Sequence, residues 1–544
     1  MVKSAVELAK GVAPIVRSGA LRPMSPAKLA RMGVAAVRWD VTPGMAIAMT
    51  ARRYPDRTAI IDDAGSVTYR RLDEEIDALA RAMLVRGIDD KAKVAILCRN
   101  HRGFLHAVAA AGRVGADQVL VNTGLSGDQL ATVLREQRVD VLVADSEFTT
   151  AAGIEGIQLI QAWSNEGYPR LRDGVPTIDE LIARDTEHRL PFRPRVAHSI
   201  ILTSGTTGAP KGALRTNPRN PMPGAALLSR IPFRAGSTDL VCAPIFHSWG
   251  FGALISSIAM GCTVVLQRNF LAREALHAIE AHRVRTLIVV PIMLSRIIDA
   301  SADTDTDTSS LDVIAACGSA IAAPVVRETL RRFGPVLYNI YGSTEVSFAT
   351  IATPDELAAH PTTSGRAPLG TTIAILDPAG RPVSAGAVGE IFVGNGMLFD
   401  GYTRQGAGKK VVDGLMATGD LGRIGADGLL FLDGRADDMV VSGGENVYPN
   451  EVEQVIAEIE GVAEVAVIGV PDVEFGHRLA AFVVRQDPRS ATVTAEAVTA
   501  VVKQRLARFS VPREVRFVDA LPRNTTGKVV PRLLREIVEA DEVQ

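Results

Sequence analysis

From about residue 68, segments of helical periodicity alternate with short apolar runs. The helical segments are Tyr69–Val85, Leu105–Arg113, Gln129–Gln137, Ala272–His282 and Pro324–Phe333, and the apolar runs are Val94–Cys98, Val119–Val121, Val139–Val143, Thr286–Val290 and Leu337–Ile340. Runs that are fully apolar and too short for a helix are typical of parallel strands covered on both faces. The pattern therefore predicts an α/β fold with parallel, helix-covered sheets.

The pattern changes after about residue 370, where short predicted strands are separated by glycine-rich turns. These strands are Ile373–Leu376, Glu390–Val393 and Leu429–Leu432, and they indicate a small β-rich subdomain. After Gly434-Arg435 we predict a helix with Asn450 as N-cap and Glu453 as its reciprocal partner. Two strands, a helix at Ala495–Leu506 and a strand at Glu514–Val518 follow. The predicted domains are a basic amphipathic extension (1–50), a large domain (51–433) and a small α+β C-terminal domain (434–544).

Charge and cysteine content exclude several classes of protein. A formal net charge of −2 leaves no electrostatic footprint for nucleic acid, so no nucleic-acid partner is expected. The cysteines, Cys98, Cys242, Cys262 and Cys317, lie singly and far apart, which favours a reducing, cytoplasmic compartment without structural zinc. The sequence has no uninterrupted apolar run of about 18 residues, so it predicts no transmembrane helix.

The first forty residues carry seven basic side chains but only two acidic ones, Glu7 and Asp40. A basic amphipathic segment can lie peripherally on an anionic membrane. Because Pro14, Pro23 and Pro26 interrupt this segment, a solvated helix packed on the domain is the alternative. The sequence leaves both interpretations open. It also leaves the oligomeric state open, a homodimer included.

The strongest chemical signal is the stretch from Thr203 to Gly212, with the sequence TSGTTGAPKG. It follows the apolar run Ser199–Leu202, so we expect a loop that leaves a strand. Hydroxyl groups, backbone N–H groups between glycines and one lysine form a cradle for phosphate oxygens. The spacing differs from that of a Walker A loop.

Further motifs follow in a fixed order: YGSTE at 341–345, GE at 389–390, TGD at 418–420, GRADD at 434–438 and PRNTTGK at 522–528. Together with the loop at 203–212, they resemble the adenylate-forming superfamily. This superfamily contains acyl-CoA synthetases, adenylation domains of nonribosomal peptide synthetases and firefly-type luciferases. The chain is most similar to a fatty-acid–CoA ligase.

The resemblance implies ATP, Mg²⁺ and coenzyme A as cofactors or co-substrates, with a small carboxylic acid as substrate. The acid would first be converted to an acyl-adenylate with release of pyrophosphate. Coenzyme A would then take the acyl group and release AMP. Because two anions must approach each other in the first step, the site must neutralise charge that grows on the phosphates.

Each motif residue then receives an implied role. The phosphates would be held by Thr203, Ser204, Gly205, Thr206, Thr207, Gly208 and Lys211. Thr344 would contact the α-phosphate, and Glu345 would hold Mg²⁺, since a carboxylate suits a hard cation. The adenine and ribose would be bound by Gly318, Ser319, Tyr341, Gly342, Asp420 and Arg435.

By the same resemblance, Lys528 would bridge the acyl carboxylate and the α-phosphate during adenylation. A compact charge on a flexible stem suits that role. The small domain would be mobile, turning about Asp437 between the two half-reactions. Ser442, Gly443 and Gly444 would then lie along the pantetheine arm of coenzyme A.

The segment PIFHSWGFG at 244–252 resembles the family's acid-pocket motif. His247 stands where peptide-synthetase domains usually carry an aspartate, which argues against an amino-acid substrate. Trp249, Phe251 and Met293 add apolar surface and predict a medium- to long-chain fatty acid, with an aryl acid as the alternative. Ser510 and Pro531 depart from the common pattern and leave the coenzyme A contact in doubt.

Three other functions remain open from the sequence. The enzyme could load a carrier protein instead of coenzyme A, it could be a silent nucleotide- or acyl-binding protein, or it could catalyse a luciferase-type oxidation. The joint presence of Glu345, Asp420, Arg435 and Lys528 argues against the silent protein.

Overall fold

The structure, a computed structural model, describes residues 11–164, 170–184, 186–203, 211–215, 220–403, 408–442, 445–472, 476–487 and 492–542, without the side chains of 203, 437, 441, 442, 445, 446, 476, 541 and 542.

The described helices are α1 (residues 11–17), α2 (Pro26–Trp39), α3 (Pro43–Arg53), α4 (Tyr69–Val85), α5 (Arg102–Val114), α6 (Gly127–Glu136), α7 (Thr149–Ala152), α8 (Ile178–Ala183), α9 (Met222–Leu228), α10 (Ser248–Ala259), α11 (Ala272–Ala281), α12 (Pro291–Ser301), α13 (Ala323–Phe333), α14 (Pro354–Ala359), α15 (Pro449–Ala457), α16 (Ala495–Arg505) and α17 (Pro531–Glu542). Two 3₁₀ turns, Ala436–Asp438 and Arg508–Ser510, accompany them.

The described strands are β1 (Thr58–Asp62), β2 (Gly65–Thr68), β3 (Lys93–Leu97), β4 (Asp117–Leu120), β5 (Val141–Asp145), β6 (Gln158–Trp163), β7 (Ser199–Thr203), β8 (Lys211–Arg215), β9 (Thr238–Val241), β10 (Thr263–Leu266), β11 (Thr286–Val289), β12 (Val313–Cys317), β13 (Leu337–Ser343), β14 (Ser347–Ala352), β15 (Thr363–Gly365), β16 (Thr372–Leu376), β17 (Gly389–Gly394), β18 (Gly401–Tyr402), β19 (Val411–Val412), β20 (Leu415–Ile424), β21 (Leu430–Arg435), β22 (Val440–Ser442), β23 (Glu445–Val447), β24 (Val462–Asp472), β25 (Gly476–Arg485) and β26 (Glu514–Phe517).

Two large sheets form the body of the molecule. One has the order β14-β13-β12-β11-β9-β10-β1-β2 and the other the order β18-β8-β7-β4-β3-β5-β6. Their central strands are parallel, and antiparallel pairing occurs only towards the ends of the two strand orders, between β1 and β2, β13 and β14, β7 and β8, and β8 and β18. The predicted α/β class with parallel, helix-covered sheets is therefore confirmed.

The helices form where periodicity and capping agree. In α4, the hydroxyl of Thr68 accepts from the Arg71 N–H at the N-terminus, and the face with Leu72, Ile76 and Leu79 is fully buried. These residues recur every three or four positions and therefore lie on one face of the helix. This local regularity explains why the predicted bounds of α4 agree with the structure.

A separate antiparallel sheet, with the order β15-β21-β20-β17-β16, forms the predicted β-rich subdomain. The C-terminal part has a sheet of β24, β25 and β26, together with α15, α16 and α17. A large domain followed by a smaller α+β domain agrees with the predicted architecture.

The predicted capping pair at Asn450 and Glu453 is wrong. α15 begins after Tyr448, which makes no side-chain cap. Asn450 instead donates to the Leu432 carbonyl at 3.2 Å, and Glu453 accepts from the Val467 N–H at 2.8 Å. Both side chains are used by tertiary contacts, which outcompete the local cap.

The limit predicted at residue 50 falls inside α3. This helix buries Ile47 and Ala51 in the main core of the large domain. Among the described residues, no helix is both long and apolar enough to cross a membrane.

Candidate active site

Several predicted residues of the large domain gather at one edge of the eight-stranded sheet. Strands β9, β11, β12 and β13 run parallel, so their carboxyl ends share that edge. His247 follows β9, Met293 follows β11, Gly318 and Ser319 follow β12, and the YGSTE motif covers the end of β13. This is the edge at which open α/β sheets bind ligands.

A buried asparagine that sequence analysis missed joins this edge to the second large sheet. Asn100 lies just beyond β3, and its amide donates to the carbonyls of residues 241–243 at 3.0–3.3 Å. Its Oδ1 accepts from the Ile245 N–H at 3.0 Å. These bonds hold the backbone that leads to His247. No local pattern could reveal Asn100, because the nearest of these partners is 141 residues away in the chain.

Glu345 is a buried carboxylate at this edge. Tyr402 donates its hydroxyl to Glu345 Oε1 at 2.6 Å. Burial raises the pKa of Glu345, but the hydrogen bonds from Tyr402 and Ser343 outweigh that effect, and the pKa is lowered overall. An ionised carboxylate is an oxygen ligand that Mg²⁺ accepts, so Glu345 fits the predicted metal role. Thr344, just before it, is half-buried.

Sequence analysis also missed Tyr402, which connects Glu345 to the predicted phosphate-binding lysine. The Nζ of Lys211 lies 5.8 Å from the centroid of the Tyr402 ring. Tyr402 pairs with Ala213 across β18 and β8, and this pairing brings it close to Lys211. Since Tyr402 and Ala213 are 189 positions apart by residue number, only the fold reveals the contact.

A second cluster links β13 to the β-rich subdomain. Tyr341 donates its hydroxyl to Asp420 Oδ2 at 2.6 Å, and Arg435 Nε lies 3.7 Å from Asp420 Oδ1. Asp420 and Arg435 are register partners on β20 and β21. Burial raises the pKa of Asp420, although Tyr341 and Arg435 oppose the rise. Asp420 thus contacts two other residues predicted to bind adenine and ribose, Tyr341 and Arg435.

The two glycines predicted beside the nucleotide differ in their surroundings. Gly342 is packed against β14, where an added Cβ would overlap the Ser347 carbonyl. Its lack of a side chain is therefore required by strand packing. Gly318 has φ of 117° where the chain leaves β12, a conformation that favours glycine. Gly318 and Ser319 are exposed at the edge of the sheet.

Lys528 reaches the same edge from the C-terminal domain. Burial lowers the pKa of His247 to about 3, raises that of Cys317 to about 12 and raises that of Asp420. At all three groups the positive charge of Lys528 acts to lower the pKa. Lys528 therefore lies within electrostatic range of the ends of β9 and β12 and of β20.

His247 presents an unused hydrogen-bonding position. Its Nε2 is buried and has no hydrogen-bond partner in the part of the chain that the structure describes. Its ring lies 4.5 Å from that of Phe246, centroid to centroid. With its pKa lowered to about 3 by burial and by Lys528, the imidazole is neutral at physiological pH. A buried nitrogen of this kind can bond to a ligand.

The three apolar residues predicted for the acid pocket are partly buried against the main core. Trp249 donates its Nε1–H to the Val289 carbonyl at 3.0 Å. Phe251 packs edge-on against Phe104, with ring centroids 6.2 Å apart. Met293 also contacts the neighbouring core cluster. The two aromatic rings are therefore held in place by specific contacts.

Part of the predicted site lies outside the described residues: Ser204, Gly205, Thr206, Thr207, Gly208, Gly443 and Gly444. The side chains of Thr203, Asp437 and Ser442 also lie outside them. The described backbone places Thr203 at the carboxyl end of β7 and Lys211 opposite it on the antiparallel strand β8. Asp437 lies in the 3₁₀ turn that follows β21.

A buried group of Cys98, His101 and Asp145 also resembles a metal site. His101 Nδ1 accepts from the Gly103 N–H at 3.1 Å, so the ring proton is on Nε2, which donates to Asp145 at 2.9 Å. Both imidazole nitrogens are therefore occupied by protein groups. A metal would have to break one of these buried bonds, so we assign the group a structural role.

Comparison with known families agrees with this geometry. Residues 47–403 match the family described as AMP-binding enzyme, and residues 451–528 match the AMP-binding enzyme C-terminal domain. The chain belongs to the AMP-binding enzyme family. Its membership of the adenylate-forming superfamily, predicted from the motifs, is confirmed.

Two relatives and one solved structure illustrate the similarity of this family member to known proteins. The chain is 31% identical to the indoleacetate–CoA ligase of Aromatoleum aromaticum over 89% of this chain and 96% of that one. It is 30% identical to the 2-succinylbenzoate–CoA ligase of Bacillus mycoides over the same shares. The o-succinylbenzoate CoA synthetase of Bacillus subtilis, solved with its acyl-adenylate, has a TM-score of 0.77 and 28% identity over 90% of this chain and 97% of that one.

Proposed function

We propose that this protein is an ATP-dependent CoA ligase that works through an acyl-adenylate. The observation that carries the proposal is the arrival of Lys528 at the sheet edge that holds Glu345 and the Tyr341–Asp420 pair. A mobile cation, an ionised carboxylate and an adenosine-binding pair at one edge match the needs of a reaction between a carboxylate and ATP.

The proposed reaction has two steps. A carboxylate oxygen of the acid attacks the α-phosphorus of ATP, and the bond from that phosphorus to the bridging oxygen breaks to release pyrophosphate. The thiol of coenzyme A then attacks the acyl carbon, loses its proton and displaces AMP. Lys528 would place a point charge between the two anions in the first step, and Lys211 would bind the outgoing phosphates. Mg²⁺, bound by Glu345 and the phosphates, would neutralise further charge.

The substrate class we propose is an aromatic acid, the alternative in our sequence analysis. The two relatives and the solved structure named above act on indoleacetate or succinylbenzoate according to their names, which weakens the fatty-acid prediction. Trp249 and Phe251 are held by Val289 and Phe104, so they offer fixed flat surfaces. Such surfaces suit a rigid ring better than a long flexible chain. The neutral imidazole of His247 can bond the acid without attracting an ammonium group.

We expect aryl acids to be preferred over other acids. With indoleacetate, 2-succinylbenzoate, benzoate, acetate, palmitate and phenylalanine as substrates, the best aryl acid should exceed palmitate in kcat/KM by about tenfold or more. The measurement is AMP formation in the presence of coenzyme A. Reactions without coenzyme A separate a ligase from an enzyme that stops at the adenylate. A higher kcat/KM for palmitate would restore the fatty-acid assignment, and one for phenylalanine would overturn both.

We further propose that the N-terminal helices contact an anionic membrane surface. On α2, Ala35 and Trp39 are buried against the protein, whereas Leu29, Val34 and Val37 on the outward side are each more than half exposed. A helix that was only solvated would turn polar residues outward. The outward side of α2 therefore exposes more apolar surface than an ordinary water-facing helix.

The charge of this segment specifies the kind of surface that it fits. Residues 8–39 contain no aspartate or glutamate, and Arg17, Arg22 and Arg31 are exposed around the apolar face. Exposed apolar groups flanked by arginine are complementary to a bilayer with anionic headgroups.

The expected result is co-sedimentation with vesicles of mixed phosphatidylglycerol and phosphatidylcholine, weakened severalfold by the double substitution Val34→Glu/Val37→Glu. The matched control is Val85→Glu, because Val85 and Val34 are both helical and both 59% exposed. Binding that the double substitution leaves unchanged would refute the proposal. Concentration-dependent self-association abolished by the same substitution would assign the face to a second copy instead.

A further inference from the structure

The loop that carries Lys528 contacts the large domain at the turn that contains Gly124, among other places. Thr525 Oγ1 donates to Asn122 Oδ1 at 2.5 Å, and the same oxygen accepts from the Gly124 N–H at 2.9 Å. Asn122 and Gly124 lie in the turn between β4 and α6. One side-chain oxygen thus joins the turn to the loop of the other domain.

The contact with Thr525 limits the space for a side chain at position 124. An added Cβ would overlap Thr525 Cγ2, and the next closest atoms, at 3.3 Å, also belong to Thr525. Gly124 is exposed and has no left-handed φ, so its own turn does not require glycine. The three atoms nearest to an added Cβ all belong to Thr525, so a side chain here would obstruct the arrival of Thr525.

The position of Thr525 is transmitted to Lys528 because the loop between them is internally bonded. Asn524 Oδ1 accepts from the N–H groups of Thr526 and Lys528, both at 3.0 Å. Arg523 donates to the Gly527 carbonyl at 2.7 Å and to Glu464 at 2.6 Å. The loop is therefore attached to the body of the C-terminal domain and moves with it.

We propose that Asn122, Gly124 and Thr525 form a latch that holds the C-terminal domain in the orientation in which Lys528 reaches the site. The latch rests on the proposed function, since it acts on the adenylation step. It consists of one exposed hydrogen bond and one methyl contact, so it is weak enough to open when the domain turns for thioester formation. These are positioning residues, which act through Lys528.

The test is the single substitution Gly124→Ala, measured in both half-reactions by single-turnover kinetics. Acyl-adenylate formation should slow by about tenfold or more, because the methyl group keeps the lysine loop away. Thioester formation from presynthesised acyl-adenylate should change less than about twofold, because that step does not use this orientation. Gly224→Ala is the control, since a Cβ at Gly224 meets nothing within 4 Å.

A second substitution should rescue the first. Thr525→Ser removes the clashing Cγ2 but keeps the hydroxyl, so Gly124→Ala/Thr525→Ser should recover most of the adenylation rate. Failure of this rescue, or an equal loss in both half-reactions, would make Gly124 a folding residue and overturn the latch. A single variant with full adenylation activity would also overturn it, while leaving the proposed function intact.

A disulfide cross-link tests the latch without an activity assay and so separates it from the proposed CoA ligase function. The pair Asn122→Cys/Thr525→Cys should cross-link under mild oxidation, because Thr525 Oγ1 and Asn122 Oδ1 lie 2.5 Å apart. The absence of the cross-link would refute the latch. A cross-linked protein that makes no acyl-adenylate from any acid, before or after reduction, would count against the proposed function instead.

Discussion

Replacing Lys528 with alanine is expected to slow acyl-adenylate formation by about two to three orders of magnitude. The substitution removes a positive charge that acts at His247, Cys317 and Asp420 from the opposite domain. Its Nζ has no hydrogen-bond or ion-pair partner among the described residues, so the change should not destabilise the fold. Single-turnover formation of acyl-AMP and pyrophosphate measures the effect.

Thioester formation from presynthesised acyl-adenylate should survive in this variant, because the domain would by then have turned Lys528 away. Lys528→Arg should recover little adenylation, since a planar guanidinium does not replace a compact charge. An equal loss in both half-reactions would make Lys528 structural. The absence of any loss would show that another group supplies the charge.

The second large effect is expected from Glu345→Gln, which keeps the size of the side chain and removes its charge. Adenylation should fall by about two orders of magnitude, and the apparent affinity for Mg²⁺ should weaken in titrations at fixed ATP. The physical reason is that Glu345 is held ionised by Tyr402 and Ser343, with its pKa lowered overall. A neutral amide at this position is a poorer ligand for a hard cation.

The control for Glu345→Gln is Tyr402→Phe, which removes the hydrogen bond to Oε1 and leaves the carboxylate. It should weaken activity far less than Glu345→Gln. Calorimetric binding of Mg²⁺ and a nonhydrolysable ATP analogue provides a readout independent of turnover. Unchanged metal affinity in Glu345→Gln would assign the carboxylate a purely structural role.

The fold class could be predicted because its signals are local. The spacing of apolar residues in Tyr69–Val85 and the short apolar runs that become β3, β11 and β12 reflect the periods of helix and strand. Each needs only neighbouring residues to be recognised. The same holds for the motif residues, whose chemistry is concentrated within short segments such as 203–212 and 341–345.

Local signals also misled where tertiary contacts competed with them. Asn450 and Glu453 have the spacing of a capping pair, yet they bond to Leu432 and Val467. Trp249 and Phe251 have the composition of a fatty-acid pocket, but composition does not reveal that Val289 and Phe104 hold the rings in place. Whether a side chain is mobile or fixed depends on its neighbours in space.

The sequence by itself determined the α/β class, the family and the order of the candidate site residues, because each depends on periodicity or motifs within short segments of the chain. Only the tertiary structure decided how these stretches meet. Asn100 bonds residues 241–243, Tyr402 bonds Glu345, and Thr525 bonds Asn122 across 403 positions. Contacts between residues so far apart in the chain depend on how sheets and domains pack, so local sequence patterns do not predict them.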